Sequence, residues 1–187
     1  MHGLCKLLFL ACLLLNSALS AEIMWAKVSW NPTQCGISSQ KPLERRFSNI
    51  DPVCRVVMDY EEGSAKLFWK PNRAYDDRIV RTAVAWVGLA IQNVHLRVRG
   101  TITHDAKNVY LTSLGDGTKL PLVSAPKAAQ GLLITKGSLS TPELNADVRK
   151  RLIAAEDGHQ VVTIEGPVFM PYRPPVRLQI EHVEISE

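Results

Sequence analysis

Apolar residues crowd together without a period in the first twenty positions, MHGLCKLLFLACLLLNSALS, and only afterwards settle into strand-like and helix-like rhythms. In that stretch a lone Lys6 precedes an unbroken apolar run from Leu7 to Leu15, and Ala18-Leu19-Ser20 gives a small-x-small exit. The layout predicts a secretory signal peptide cut before Ala21, because nine apolar residues fall well short of the roughly 18 to 20 that span a bilayer. The later run Ala83–Ile91 is equally short, so no stable membrane span is expected in the mature chain.

Residues 21–92 read as an α+β region. Met24, Ala26, Val28 and Trp30 alternate with Trp25, Lys27 and Ser29, as in a strand that Asn31-Pro32 ends. A loop carrying Cys35 and Cys54 follows. Arg55–Tyr60 and Lys66–Lys70, separated by Glu61-Glu62-Gly63-Ser64, make a hairpin pattern. Asp76 or Asp77 then caps a predicted helix whose apolar residues, from Ile79 and Val80 through Ala83, Trp86 and Val87 to Ala90 and Ile91, recur at helical spacing.

From residue 93 to the end a second pattern takes over. Val94, Leu96, Val98, Gly100 and Ile102 alternate with His95, Arg97, Arg99, Thr101 and Thr103, which predicts a long half-buried strand with a bulge or sharp coil at Gly100. Asn108–Ser113 and Lys119–Val123 give two more strands across a Gly115-Asp116-Gly117 turn. The period then changes to 3.6: Ser140-x-x-Glu143 is a capping-box pattern, Pro142 suits a first helical turn, Leu144, Val148, Leu152 and Ala155 form a stripe, and Gly158 closes it. Gln160–Val168 and Val176–Ile185 are the last strands, the second of them needing a bulge near Glu181-His182 to keep its apolar residues on one side.

Three strands, a helix and two strands is the element order of an OB barrel. Val98-Arg99-Gly100-Thr101-Ile102, Val161-Val162-Thr163-Ile164-Glu165-Gly166 and Arg177-Leu178-Gln179-Ile180-Glu181-His182-Val183 resemble the first, fourth and fifth strands of exported and nucleic-acid-binding OB proteins. The expected fold class is therefore mainly β with helices, an OB-like β-barrel over 93–187 behind an N-terminal α+β extension. The resemblance implies a ligand face on the second and third barrel strands, around Tyr110, Thr112, Lys119 and Leu120.

Charge narrows the function classes. Loss of Lys6 takes the 22 basic residues to 21 against 18 acidic ones, too even a balance for a dedicated nucleic-acid domain. The mature chain keeps two cysteines, Cys35 and Cys54, which in an exported protein predict a disulfide.

Candidate chemistry is sparse. His95, His104, His159 and His182 are scattered, with no HExxH and no G-x-S-x-G elbow, so no metal or cofactor is expected. A secreted metal-dependent nuclease would need carboxylates around a cation with a cationic clamp on phosphate, and Asp105, Asp116, Glu165 and Arg99 are the candidates. Single-strand or oligosaccharide binding would draw on Tyr110, Lys119, Arg97 and Arg99. The leading expectation is a non-catalytic module in the periplasm or outside the cell that contacts a protein partner, with Tyr172 and Arg173 of the stiff Met170-Pro171-Tyr172-Arg173-Pro174-Pro175 stretch as interface anchors. A polyanion or glycan is the alternative ligand.

Overall fold

Alternation dominates the chain, and strands dominate the fold. The computed structural model describes residues 23–113, 116–124, 143–169 and 175–186; the expected signal peptide, Ser140, Pro142, Tyr172 and Arg173 lie outside them. In chain order the elements are β1 (Ile23–Trp30), a 3-10 turn (Pro32–Gln34), α1 (Ile37–Ser48), β2 (Val53–Asp59), β3 (Ser64–Trp69), α2 (Asp77–Ala85), β4 (Ile91–His104), β5 (Val109–Thr112), β6 (Lys119–Ser124), α3 (Ala146–Asp157), β7 (Val161–Phe169), β8 (Arg177–Ile180) and β9 (His182–Ile185).

The first six elements and β4 form a βαββαβ unit, the split-βαβ arrangement, with strands ordered β2-β3-β1-β4. Ala26, Val28 and Trp30 of β1 and Ala65, Leu67 and Trp69 of β3 point to the helices and are buried there with Leu43 and Phe47 of α1 and Val80 and Val84 of α2. Trp30 and Phe47 meet at 6.4 Å. The alternate residues of the same strands face away from the helices.

The last six elements, with β4 again, close a five-stranded barrel in the order β4-β5-β6-β8-β7 and back to β4. The pairing of β6 with β8 is parallel and the others are antiparallel. This closed barrel, filled on a three-strand, helix, two-strand order, is compatible with an OB-like fold. β4 belongs to both units. One edge pairs with β1 from Ile91 to Val98 and with β5 from Thr101 to His104, while the other pairs with β7 from His95 to Thr101. Gly100 marks the change of partner: a Cβ there would stand 2.5 Å from the Thr112 carbonyl oxygen, an approach only glycine permits. Gln92, the last residue of the expected N-terminal region, is the second residue of β4.

Several expectations need correction. The helix expected to reach Ile91 stops at Ala85, because Gly88 turns left-handed (φ 76°) and Leu89 N–H donates back to the Val84 carbonyl at 3.3 Å. α3 starts at Ala146 rather than in the capping box; the Asn145 side chain caps it by accepting from Asp147 N–H at 2.9 Å, and Glu143 lies before the helix. The segment expected to be a loop contains α1, in spite of Pro42. The bulge near Glu181 is present: the register along β7 slips by one residue between the β8 and β9 pairings.

The expected Cys35–Cys54 disulfide is not formed; both are free thiols. The topology explains why. β1 and β2 run in the same direction on either side of β3, so the chain leaving β1 at Cys35 and the chain entering β2 at Cys54 lie at opposite ends of the sheet. Five strand steps separate these ends by roughly 17 Å, whereas a disulfide needs Cα atoms within about 7 Å. Cys54 instead turns its thiol to the Phe68 carbonyl at 3.4 Å, and burial raises the pKa of Cys35.

Candidate functional site

Two surfaces of the N-terminal unit gather the residue types that bind other molecules. The first is the face of the sheet that turns away from the helices. Strand pairing sets Arg55, Phe68, Trp25, Arg97, Glu165 and His182 in one row across β2, β3, β1, β4, β7 and β9. Val57, Lys66, Lys27 and His95 form the next row.

Across this face charge is divided. At the β2–β3–β1 end the Arg55 guanidinium lies 3.7 Å above the Phe68 ring and the Lys66 ammonium 4.0 Å above the Trp25 ring. These two cations are held by aromatic faces. At the opposite end Arg97 donates to Glu165 at 3.0 Å and Glu184 at 2.8 Å, and those hydrogen bonds, led by the one to Glu165, raise its pKa. Lys27 is paired with Glu62 at 3.1 Å. Arg55 and Lys66 thus carry their positive charge over Phe68 and Trp25 with no carboxylate partner among the described residues.

The second surface is a cleft of about 550 Å3 between the C-terminal end of α1 and α2. Ile50, Ile79 and Ala83 give it an apolar floor, and Arg46 and Trp86 stand at its rim. Trp86 is 67% exposed, a large value for so apolar a side chain, and Ile79 beside it is 40% exposed. Arg46 stacks on the Trp86 ring at 4.6 Å. The carboxylates at the cleft are engaged: Asp51 pairs with Lys70 and Arg73 at 3.6 and 3.2 Å, and Asp76, its pKa lowered first by the Arg78 side-chain hydrogen bond, pairs with Arg78 at 3.0 Å.

The residues singled out from sequence are dispersed by comparison. Tyr110 and Lys119 share the outward side of the barrel, but the Tyr110 hydroxyl is committed to Asp105 at 2.8 Å, and no second aromatic joins it in the pairing rows of β4, β5 and β6. Arg97 and Arg99 do lie on the open sheet face, Arg97 with its charge balanced by two glutamates. The three nuclease carboxylates serve three separate local tasks. Asp105 accepts from the Asn108 and Lys107 backbone N–H groups at 2.6 and 2.7 Å, which push its pKa far below the usual carboxylate range, Asn108 foremost; Asp116 holds Thr118; Glu165 holds Arg97. Among the described residues no group of three or more His, Cys, Asp or Glu side chains could hold a metal ion, and no helix is long and apolar enough to cross a membrane.

Sequence reasoning missed Arg55, Lys66, Phe68 and Trp86 as surface residues with a role. The alternation in Ser64-Ala65-Lys66-Leu67-Phe68-Trp69 carried the signal for two of them, since it sets Lys66 and Phe68 on the side opposite Leu67 and Trp69. No family model, curated protein or solved structure matches this chain.

Proposed function

We propose that this protein is an exported, non-catalytic binding or assembly module that works through protein–protein contacts in the periplasm or extracellular space. The observation that carries the reading is Trp86, 67% exposed at the rim of the α1–α2 cleft with Arg46 stacked on it. Tryptophan and arginine are the side chains that most often anchor interfaces, and they do so around pockets that exclude water. The partner is a protein that inserts an aliphatic side chain between Ile79 and Ile50 and sets a carboxylate on Arg46, whose guanidinium has the Trp86 ring but no carboxylate beside it among the described residues. The signal-peptide pattern of residues 1–20 supports the location, and the OB-like barrel is the scaffold on which the unit is mounted.

Affinity capture with wild-type protein and with Trp86→Ala tests the assignment. A stoichiometric protein bound by the wild type, lost with Trp86→Ala and kept with Ile37→Ser is the expected result; Ile37 is 88% exposed but lies outside the cleft. The same proteins captured equally by wild type and Trp86→Ala would refute it.

A further inference from the structure

The open face of the sheet supports a second activity of a different kind. We infer that the β2–β3–β1 end of this face binds single-stranded nucleic acid, with Trp25 and Phe68 as stacking platforms for successive bases and Arg55 and Lys66 as the phosphate contacts.

Three features lead to this ligand. First, Trp25 and Phe68 sit directly opposite one another on adjacent strands in the middle of the four-stranded sheet, about 4.8 Å apart in strand spacing. Two aromatic side chains on the central strands of an antiparallel four-stranded sheet are the arrangement on which unpaired bases stack. Second, the cations here are held over rings rather than by carboxylates. They are positioned, no carboxylate offsets them among the described residues, and they lie within one side chain's length of both platforms. A guanidinium plane on Phe68 is itself a surface on which a base can stack, and the Lys66 ammonium can leave the Trp25 face for a phosphate as a base takes its place. Third, at the β7–β9 end Glu165 and Glu184 occupy Arg97, so that guanidinium is not offered to a phosphate as Arg55 and Lys66 are. The aromatic pair and its two cations make the β2–β3–β1 end a site for two or three nucleotides.

The ring faces discriminate between polyanions. A duplex hides its base faces in its own stack, and an acidic polysaccharide has no planar base to offer. Both could meet Arg55 and Lys66, but neither could use Trp25 and Phe68 as a base does. With two phosphates neutralised, the logarithm of the affinity should fall with the logarithm of salt concentration with a slope of about −1.4, from roughly 0.7 per single-strand phosphate.

Fluorescence anisotropy of a labelled oligothymidine, titrated with the full protein at low salt, reads the binding. Trp25→Ala and Phe68→Ala should each weaken it at least about tenfold, equal to about 1.4 kcal/mol and within the range for one lost base stack. Phe68→Tyr, which keeps the ring, should retain it, and circular dichroism of both alanine variants separates loss of stacking from loss of fold. Lys66→Ala should make the salt slope shallower by about 0.7. Trp86→Ala should bind the strand as wild type does, so this activity and the protein-docking reading fail independently. Absence of binding, equal affinity for a duplex or for a polyuronate, or unchanged affinity in a folded Trp25→Ala and Phe68→Ala pair would overturn the inference.

Discussion

Asp77→Ala is the substitution most damaging to the support beneath both surfaces. Asp77 opens α2 with its side chain 5% exposed; it accepts from the Tyr75 hydroxyl at 3.0 Å and is ion-paired with Arg81 one turn later, itself 19% exposed. Tyr75 packs its ring against Trp69 of β3 at 5.4 Å, so the carboxylate ties α2 to the sheet. Removing one partner of a fully buried pair costs about 3 to 5 kcal/mol. Water reaches part of the Arg81 guanidinium, which sets this pair near the lower end, about 3 kcal/mol. The lost phenol hydrogen bond adds about 1 kcal/mol. A total near 4 kcal/mol should lower the melting temperature by roughly 8 to 16 °C at about 2 to 4 °C per kcal/mol for a chain of this size. Thermal unfolding followed by circular dichroism measures it, with Asp76→Ala, loss of an exposed cap worth about 1 kcal/mol, as the comparison. A double-mutant cycle with Arg81→Ala isolates the pair and should give a coupling of at least about 1 kcal/mol. If Asp77→Ala costs no more than Asp76→Ala, the buried cluster is not what fastens α2.

Gly100→Ala would bring a methyl group to 2.5 Å from the Thr112 carbonyl oxygen and should destabilise by about 1 to 3 kcal/mol, read as a lower urea midpoint with an unchanged slope. Tyr75 gives a pH dependence: burial, then the charge of Asp77, raises its pKa well above the ordinary 10.0. The folded protein therefore holds a proton that the unfolded chain releases, so this contribution to stability is complete below pH 10 and is lost as pH rises through the raised value. Tyr75→Phe should flatten the alkaline limb of a stability profile; an unchanged limb would show that other groups govern it. Finally, a maleimide reagent applied to the native, unreduced protein should label the exposed Cys54 and leave the buried Cys35 unmodified until unfolding, and protection of both by oxidation would contradict the topology.

Much of this fold was legible because alternation is a local property. Val94 to Ile102 announced the central part of β4, and the one-residue slip at Glu181 followed from a change in apolar parity along the last strand. α1 was not legible: Gly36 caps it without a side-chain hydrogen bond, Pro42 lies inside it, and Leu43 and Phe47 alone are buried, so the period never shows. The end of α2 was overrun because Ala90 and Ile91 continue the helical spacing of Trp86 and Val87 past Gly88, where backbone conformation rather than hydrophobicity decides. The open face was hidden for another reason. Arg55, Phe68 and Trp25 are far apart in sequence and become neighbours only through pairing register, and the disulfide expectation failed on the same point, since sequence distance says nothing about which end of a sheet a residue reaches.

β4 has a consequence for how the chain can be divided or lengthened. A cut near Gln92 would strip the split-βαβ sheet of its outer strand, and a cut after His104 would open the barrel between β5 and β7. Insertion of a single residue at Gly100 would do something subtler. Side chains alternate with a period of two, so every barrel residue of β4 beyond that point would exchange inside for outside while the sheet before it stayed as it was. Only even-numbered insertions preserve the barrel's filling, which makes the length of this one strand a parity lock between the two halves.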